Sequence, residues 1–135
     1  MPLVYLAGPI ENVTPAEASG WRVRANFLLS QKRLGVYTLD PLRGKYGPNG
    51  SILTTPLGVV TRDRNDVRRC QVVLANLLLG PFSIGTVAEI AWADAYRKPV
   101  VGIVSEELIH PFLKQLVHYQ AATLEEAIQV VLEII

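Results

Sequence analysis

Short apolar runs, each closed by turn residues and separated by helical segments, are the feature that most constrains the fold of this chain. Runs of four to eight apolar residues that stop at glycine, proline or a polar turn are typical of buried strands rather than helices. The first run stops at Gly8-Pro9, and the most strand-like run precedes Gly80-Pro81. We predict strands over residues 3–7, 35–39, 72–77 and 100–104, and a short one over 117–120.

Most segments between these runs have the capping residues and the spacing of apolar residues that are typical of helices. Thr14-Pro15 provides an N-cap and a proline at the first helical position, which predicts a helix over residues 16–31. Further helices are predicted from residue 59 or 60 to residue 70, over 86–97 with Ser83 as N-cap, and over 123–135, with a weaker helix at 110–116. Thr123 and Glu126 have capping-box spacing. Residues 40–56 are too rich in proline and glycine for regular structure and predict a long functional loop.

Alternating strands and helices predict an α/β fold with a parallel sheet that helices cover on both faces. A chain of 135 residues fits one domain over residues 1–135. Half of the residues are hydrophobic, which agrees with a sheet buried on both faces or with an oligomer interface. Ligands of such sheets bind beyond the carboxyl ends of the strands, so residues 8–10 and 80–85 should lie at one edge.

Composition excludes several classes of function. Thirteen basic and twelve acidic residues give a net charge of +1, so polymeric nucleic acid is not an expected partner. Cys70 is the single cysteine, which leaves no disulfide and no thiolate metal site. Without a signal-peptide pattern or a run long enough to span a membrane, we expect a cytoplasmic protein. The motifs of dinucleotide-binding, P-loop, zinc-protease and serine-hydrolase proteins are absent, and we predict no cofactor.

Glu89 is the residue whose position most needs an explanation. It lies six residues after Ser83, on a helix that is otherwise apolar from residue 87 to residue 93. Because burying an unpaired carboxylate is costly, Glu89 is either a half-exposed side chain beside the sheet or a carboxylate aimed into a pocket. Tyr5 lies on the neighbouring strand, where its hydroxyl could hold one oxygen of Glu89, or it is simply a core tyrosine.

Two polar groups accompany Glu89. Ser83, Gly85 and Thr86 begin the helix of Glu89 and form either an anion site or an ordinary N-cap. Asp63, Asn65 and Asp66 lie on the helix before the central strand, where Asp63 and Asp66 share a face. Such residues are usually solvated, and no histidine or third carboxylate stands at ligand spacing, so we predict no metal site.

Taken together, three segments resemble the nucleoside 2-deoxyribosyltransferase family. They are Tyr5-Leu6-Ala7-Gly8-Pro9-Ile10, the Asn65-Asp66 pair ahead of the central strand, and residues 83–93 followed by Lys98-Pro99. The resemblance implies a flavodoxin-like, three-layer α/β/α fold with about five mainly parallel strands. It also implies a double displacement in which Glu89 attacks C1′ of a deoxyribose, oriented by Tyr5, while Asp66 contacts or protonates the departing base. The implied substrate-binding residues are Gly8, Pro9, Ile10, Asp63, Asn65, Ser83, Gly85 and Thr86.

One departure from the family narrows the substrate. Many nucleoside-using relatives have an aspartate six residues before the nucleophile, whereas this chain has Ser83, as do relatives that act on 5′-monophosphates. A serine at a helix N-terminus would accept a phosphate that a carboxylate would repel. The resemblance therefore implies a deoxyribosyltransferase or a deoxynucleoside-monophosphate N-glycosidase. A non-catalytic nucleotide-sensing domain on the same scaffold is the alternative. The expected partners are a nucleoside or nucleotide, a free base and further copies of the chain, which complete the pocket in relatives.

Overall fold

The fold is known from a computed structural model that describes residues 1–43, 55–79 and 83–135. Five strands alternate with five helices along these parts of the chain. The strands are β1 (Leu3–Ala7), β2 (Tyr37–Leu39), β3 (Val72–Asn76), β4 (Val100–Ile103) and β5 (Tyr119–Ala121). The helices are α1 (Pro15–Lys32), α2 (Pro56–Arg69), α3 (Ile84–Ala95), α4 (Pro111–Leu116) and α5 (Leu124–Ile134).

The strands form one sheet in the order β2-β1-β3-β4-β5, and every neighbouring pair is parallel. This order is that of the flavodoxin-like doubly wound folds. The register places Ala7 beside Ala75, so β1 and β3 end together at the carboxyl edge of the sheet. The predicted α/β/α architecture with five strands is therefore confirmed.

Two apolar cores lie on opposite faces of the sheet because side chains alternate along each strand. In β1, Val4 and Leu6 join the core beneath α1 and α5, whereas Tyr5 and Ala7 join the core beneath α2, α3 and α4. β3 is buried along its whole length, as expected for a central strand. The alternation directs Tyr5 toward α3, the helix that carries Glu89.

Hydroxyl side chains begin most of the helices, as predicted. Thr14, Ser83 and Thr123 each accept a hydrogen bond from the backbone N–H group three residues later. The capping box at Thr123 is incomplete, since the Glu126 carboxylate accepts from the N–H of Ala122 instead. The weaker helix near 110–116 is also present, with His110 at its N-cap.

Some predicted boundaries are wrong. β2 begins at Tyr37 rather than at residue 35, because Gly35 has a φ of +87° and belongs to a left-handed turn. α2 begins at Pro56 after an N-cap at Thr55, three residues before the predicted start. α3 ends at Ala95 rather than at residue 97, where Arg97 has a φ of 57°.

Parts of two predicted loops lie outside the described residues. Residues 44–54 of the loop predicted over 40–56, and the break predicted at Gly80-Pro81, belong to these parts. The first residues of the long loop are described, and Asp40 accepts a hydrogen bond at 2.8 Å from the N–H of Leu42. Across the described ranges, every helix is too short or too polar to cross a membrane.

Candidate active site

Several of the predicted site residues follow the two strands at which the strand order of the sheet reverses. β1 lies between β2 and β3, so the chain leaves β1 toward one face and β3 toward the other. The connection after β1 carries Gly8, Pro9 and Ile10, and the helix that follows β3 carries Ser83 and Glu89. Ligands of open α/β sheets bind in this crevice.

Tyr5 and Glu89 form the centre of the site. The Tyr5 hydroxyl donates a hydrogen bond to Oε2 of Glu89, across 84 positions of sequence. Tyr5 is fully buried and Glu89 is 7% exposed. Burial raises the pKa of Tyr5 well above its usual range, and the carboxylates of Glu89, Asp63 and Asp66 raise it further. With its pKa raised, the phenol is protonated at neutral pH and donates to Glu89.

The first turn of α3 presents the polar groups that precede Glu89. Ser83 Oγ accepts a hydrogen bond at 3.1 Å from the N–H of Thr86 and lies 2.6 Å from the Thr86 hydroxyl. Thr86 is buried, whereas Gly85 is exposed, with open space where a side chain would stand. Ser83 is therefore an N-cap, and it also stands at the positive end of the helix dipole.

Helix α2 directs two of its three predicted polar residues toward the sheet. Asp63 and Asp66 are 6% and 2% exposed, and both act on the pKa of Tyr5, which places their charges near the centre of the site. Asn65 is exposed, because a residue two positions after Asp63 lies on another side of the helix. The structure therefore groups Asp63 and Asp66 with Tyr5 and Glu89, but not Asn65.

The two aspartates differ in their contacts with arginine side chains. Asp66 accepts from Arg43 through one oxygen and from Arg69 at 3.0 Å through the other. Asp63 has a long contact of 3.4 Å with Arg62, whose guanidinium also donates to the Pro41 carbonyl at 2.6 Å. Both oxygens of Asp66 are thus engaged, and the one that accepts from Arg43 anchors the segment that follows β2.

The connection after β1 is packed tightly against α1. Gly8 and Pro9 are buried and Ile10 is half-buried. A Cβ atom at residue 8 would stand 2.8 Å from the Trp21 ring, so any larger residue would have to displace that ring. The Gly8 carbonyl accepts a hydrogen bond at 2.9 Å from Arg22, a residue of α1 that the sequence analysis missed.

The helical spacing of the buried residues in α1 is the sequence signal that could have identified Arg22 as buried. The buried residues of α1 are Ala18, Arg22, Ala25 and Leu29, which recur every three or four positions. The large apolar residues of α1 do not mark its buried face, since Val23 and Phe27 are 67% and 55% exposed. Asn76, buried at the end of β3, was missed as well; its side-chain oxygen accepts from the N–H of Leu78 at 3.0 Å.

The remaining reactive groups do not form a second candidate active site in the described part of the chain. Burial raises the pKa of the Cys70 thiol to about 11, so at neutral pH it is not a nucleophile. Within residues 1–43, 55–79 and 83–135, histidine, cysteine and acidic side chains form no group of three that could bind a metal. An open groove lined by Asp94, Arg97, Lys98 and His118 lies at the C-terminal end of α3, away from the start of that helix.

Comparison with solved structures identifies proteins of the same fold. A 2-deoxyribosyltransferase from Bacillus psychrosaccharolyticus is 16% identical with a TM-score of 0.70, over 92% of this chain and 88% of that chain. The CMP N-glycosidase of Clostridium botulinum is 20% identical with a TM-score of 0.62, over 96% and 97%. A molybdenum cofactor binding protein from Rippkaea orientalis is 21% identical with a TM-score of 0.63, over 98% and 96%. Identities this low establish a shared fold and no shared activity.

The sequence comparison is more specific. A search of curated proteins gave no match. The sequence pattern of the nucleoside 2-deoxyribosyltransferases, in contrast, matches residues 4–127, which include most of β1 and all of α2 and α3. The chain therefore belongs to the nucleoside 2-deoxyribosyltransferase family.

Proposed function

We propose that this protein cleaves the N-glycosidic bond of a 2′-deoxynucleoside or its 5′-monophosphate, with Glu89 as the nucleophile. The observation that carries the proposal is the buried hydrogen bond from Tyr5 to Glu89 at the carboxyl edge of the sheet. A carboxylate and a phenol that meet across 84 positions in a buried setting need a reason beyond packing. Membership of a family of deoxyribosyl-transferring enzymes supplies that reason.

The proposed first step forms a bond between a carboxylate oxygen of Glu89 and C1′ of the sugar. The C1′–N bond breaks, its electron pair leaves with the base, and the sugar remains as an ester of Glu89. Tyr5 donates to Oε2 of Glu89 and would thereby orient the carboxylate for the attack. The transition state resembles an oxocarbenium ion, and a sugar without a 2′-hydroxyl forms this cation more readily.

A proton delivered to the departing base would make the first step easier. The sequence analysis assigned this role to Asp66 and substrate binding to Asp63. Asp66 accepts from Arg43 and from Arg69 through its two oxygens, which favours Asp66 as an anchor for these arginines. We therefore propose that Asp63, which is buried on the same face of α2, meets the base.

Ser83 supports a substrate with a 5′-phosphate. Its hydroxyl lies at the N-terminus of α3, where the helix dipole and the first backbone N–H groups favour an anion. The exposed Gly85 leaves open space for a ligand beside this turn. An aspartate in place of Ser83 would add a negative charge and oppose a phosphate.

The second step decides between two activities. If a second base attacks C1′ of the Glu89 ester, the protein is a deoxyribosyltransferase, which is the activity we propose first. If water attacks, it is an N-glycosidase, as the Clostridium botulinum protein of this fold is for CMP. Both outcomes share the chemistry of Glu89 and differ in how well water is excluded.

A binding role without catalysis is the second candidate. The Rippkaea orientalis protein of the same fold binds the molybdenum cofactor, so this fold also serves proteins that bind a ligand. A nucleotide-sensing domain would need the crevice and Ser83 but no nucleophile. The Tyr5–Glu89 pair favours the enzyme, because a binding site for an anionic nucleotide gains nothing from a buried carboxylate.

We also propose that the protein assembles as a homo-oligomer. Leu57 on α2 and Ile84 on α3 are 75% and 91% exposed, and the two helices pack together. If these side chains form one apolar patch across the two helices, such a patch would suit binding of another chain. Contact with another copy would cover them near the start of the helix that carries Ser83 and Glu89.

The experiment that tests the proposed function is a base-release and base-exchange assay. The protein is incubated with each of the four deoxynucleosides and their 5′-monophosphates, with and without a different free base, and the products are separated by chromatography. We expect release of base from at least one substrate and formation of the exchanged product. Release without exchange would replace the transferase by the N-glycosidase, and binding without any release would favour a sensing role.

A further inference from the structure

Asn76 is the polar residue of β3, and it stands at the end of that strand. The rest of the strand is apolar, and all of it is buried, with Asn76 itself 4% exposed. A buried side-chain amide needs hydrogen-bond partners for its oxygen and for its NH2 group, because burying either without a partner costs free energy. An apolar residue at this position would avoid that cost. The presence of asparagine therefore needs an explanation.

The oxygen of the Asn76 amide has a structural role. Oδ1 accepts a hydrogen bond at 3.0 Å from the N–H of Leu78, two residues further along the chain. Such a bond from a side chain to the backbone two residues on is typical of asparagine and aspartate at turns. It begins the connection that leads from β3 to Ser83 and α3. Because the N–H of Leu78 requires an acceptor, this bond also identifies which end of the amide is the oxygen.

The NH2 group of Asn76 is free to bind something else. Within residues 1–43, 55–79 and 83–135, the side chain has its hydrogen bond with Leu78 alone, so the NH2 group has no acceptor there. Side-chain nitrogens of these ranges that are sealed from solvent without a partner are Trp21 Nε1 and Arg22 Nε, and the Asn76 nitrogen is not among them. The NH2 group is therefore a donor that solvent or a ligand can reach, although its residue is buried.

The position of Asn76 in the sheet brings this donor to the crevice. The register pairs Ala7 of β1 with Ala75 of β3. The next residues, Gly8 and Asn76, therefore stand at the carboxyl edge of the two strands where the strand order reverses. Alternation along β3 places the Asn76 side chain on the face that α1 and α5 cover, whereas Tyr5 lies on the other face. A ligand across this edge would meet Tyr5 from one face and Asn76 from the other.

We propose that Asn76 is a specificity-determining residue of the crevice, whose NH2 group donates a hydrogen bond to an oxygen of the substrate's sugar or of its 5′-phosphate. The inference rests on the proposed function and adds a donor to those at Ser83. An amide NH2 group can only donate, and hydroxyl and phosphate oxygens accept. The base is proposed to meet Asp63 of α2, which covers the face opposite to Asn76, so the sugar and phosphate are the parts left for Asn76.

Two variants separate the NH2 group from the oxygen. Asn76→Asp and Asn76→Ser each keep an oxygen that can accept from the N–H of Leu78, since aspartate and serine form similar turns, but neither has an NH2 group. The serine variant adds no charge, so it remains informative if the aspartate variant does not fold. The matched control is Asn26→Asp, because Asn26 is an exposed residue of α1 whose oxygen accepts from the Thr38 hydroxyl.

Steady-state base release is measured on a deoxynucleoside and on its 5′-monophosphate. For Asn76→Ser we expect KM to rise by about 2- to 10-fold, with kcat nearly unchanged, because one neutral hydrogen bond to the bound substrate is lost. A rise for both substrates would identify a sugar oxygen as the acceptor, and a rise for the monophosphate alone would identify the phosphate. Asn76→Asp should raise KM for the monophosphate further, since it places a negative charge beside the phosphate.

The control variant Asn26→Asp should leave both KM values as they are in the unmodified protein. If the NH2 group of Asn76 is merely hydrated, a folded Asn76→Ser protein should do the same, because its turn is preserved. Unchanged KM values for both substrates in Asn76→Ser would therefore overturn the proposal.

NMR of the side-chain amide separates this inference from the proposed function. In the unmodified, nitrogen-15-labelled protein, the NH2 signals of Asn76 are assigned through its backbone signals and followed during titration with the four deoxynucleosides and their 5′-monophosphates. We expect at least one of these ligands to move the NH2 signals saturably, whether or not turnover occurs. NH2 signals that stay in place with every ligand would overturn the role of Asn76. Signals that move while no substrate releases its base would instead contradict the proposed function.

Discussion

Helices α3 and α5 begin alike and then diverge. Each starts with a hydroxyl N-cap, Ser83 or Thr123, and each packs against the parallel sheet. The buried residues of α5 are all apolar, Ala127, Ile128 and Val131, and its glutamates are exposed. Helix α3 buries Thr86 and Glu89 beside Ile90 and Ala93. A helix such as α5, which buries only apolar residues, supports the fold. A helix such as α3, which buries a carboxylate among apolar residues, indicates a functional site.

The largest expected effect comes from replacing the glutamate that breaks the rule. Glu89→Gln should lower base release by a factor on the order of 10⁴ or more, because the amide cannot act as the nucleophile. The matched change in α5, Glu126→Gln, should leave turnover unchanged, since Glu126 serves only its own helix start. Initial rates and melting temperatures of both proteins provide the measurement. Substantial turnover by a folded Glu89→Gln protein would show that Glu89 is no more catalytic than Glu126.

The two aspartates of α2 come next. Asp63→Asn should lower kcat by about 10³-fold if Asp63 delivers the proton to the base. Asp66→Asn should cost less in kcat and more in stability, because it releases Arg43 and Arg69 from a buried partner. The measurement is kcat on an ordinary substrate and on one whose base leaves without protonation, together with the melting temperature. A larger loss of kcat in Asp66→Asn would restore the role first predicted for Asp66.

Tyr5→Phe tests the hydrogen bond from the sheet to Glu89, which distinguishes α3 from α5. Without the phenol, Glu89 loses the donor that orients it, and kcat should fall by about 10²-fold. A kcat within twofold of the unmodified value would show that the hydrogen bond has no catalytic role. The substitution keeps the ring, so the core under α3 should stay packed.

The pKa of Tyr5 adds a stability test of the same substitution. The pKa of Tyr5 is higher in the folded protein than in the unfolded chain. The contribution of the protonated phenol to the free energy of unfolding is therefore complete below about pH 10 and is lost as pH rises further. The free energy of unfolding should therefore decrease more steeply above pH 10 in the unmodified protein than in Tyr5→Phe. Equal slopes would indicate that Tyr5 ionises as freely in the folded protein as in the unfolded chain.

The smallest effects concern the two N-caps. Ser83→Ala and Thr123→Ala should each lower the free energy of unfolding by about 1 kcal/mol, since each removes one cap hydrogen bond. Only Ser83→Ala should also raise KM for a 5′-monophosphate relative to the matching nucleoside. Chemical denaturation and steady-state kinetics on both substrates measure the two effects. Equal KM ratios in the two variants would reduce Ser83 to an ordinary cap.

Much of this architecture follows from local sequence patterns. Short apolar runs and Thr-Pro or Ser caps predict the strands and most helix starts because these signals depend on neighbouring residues alone. The same signal at Thr55-Pro56 was overlooked inside a segment rich in proline and glycine, and α2 was therefore predicted to start too late. The missed position of Gly35 in a left-handed turn has a similar local cause.

The site required information that local patterns do not contain. Apolar neighbours and the resemblance to a known family pointed to Glu89 and Tyr5, but their contact spans 84 positions and depends on strand order. The difference between Asp63 and Asp66 is set by arginines from two segments. Arg22 was missed because an arginine on a buried stripe contradicts its usual exposure, and only the fold brings Gly8 and Asp40 to it.

Mass spectrometry of a trapped intermediate tests the central claim most directly. A 2′-fluorinated arabino analogue of an accepted substrate destabilises the oxocarbenium-like transition state, so the second step should slow and the sugar ester should accumulate. After an acid quench, we expect the intact protein to gain the mass of one fluorinated sugar and the modified peptide to carry it on Glu89. Continued base release with an unmodified Glu89, or an adduct on another residue, would contradict the account.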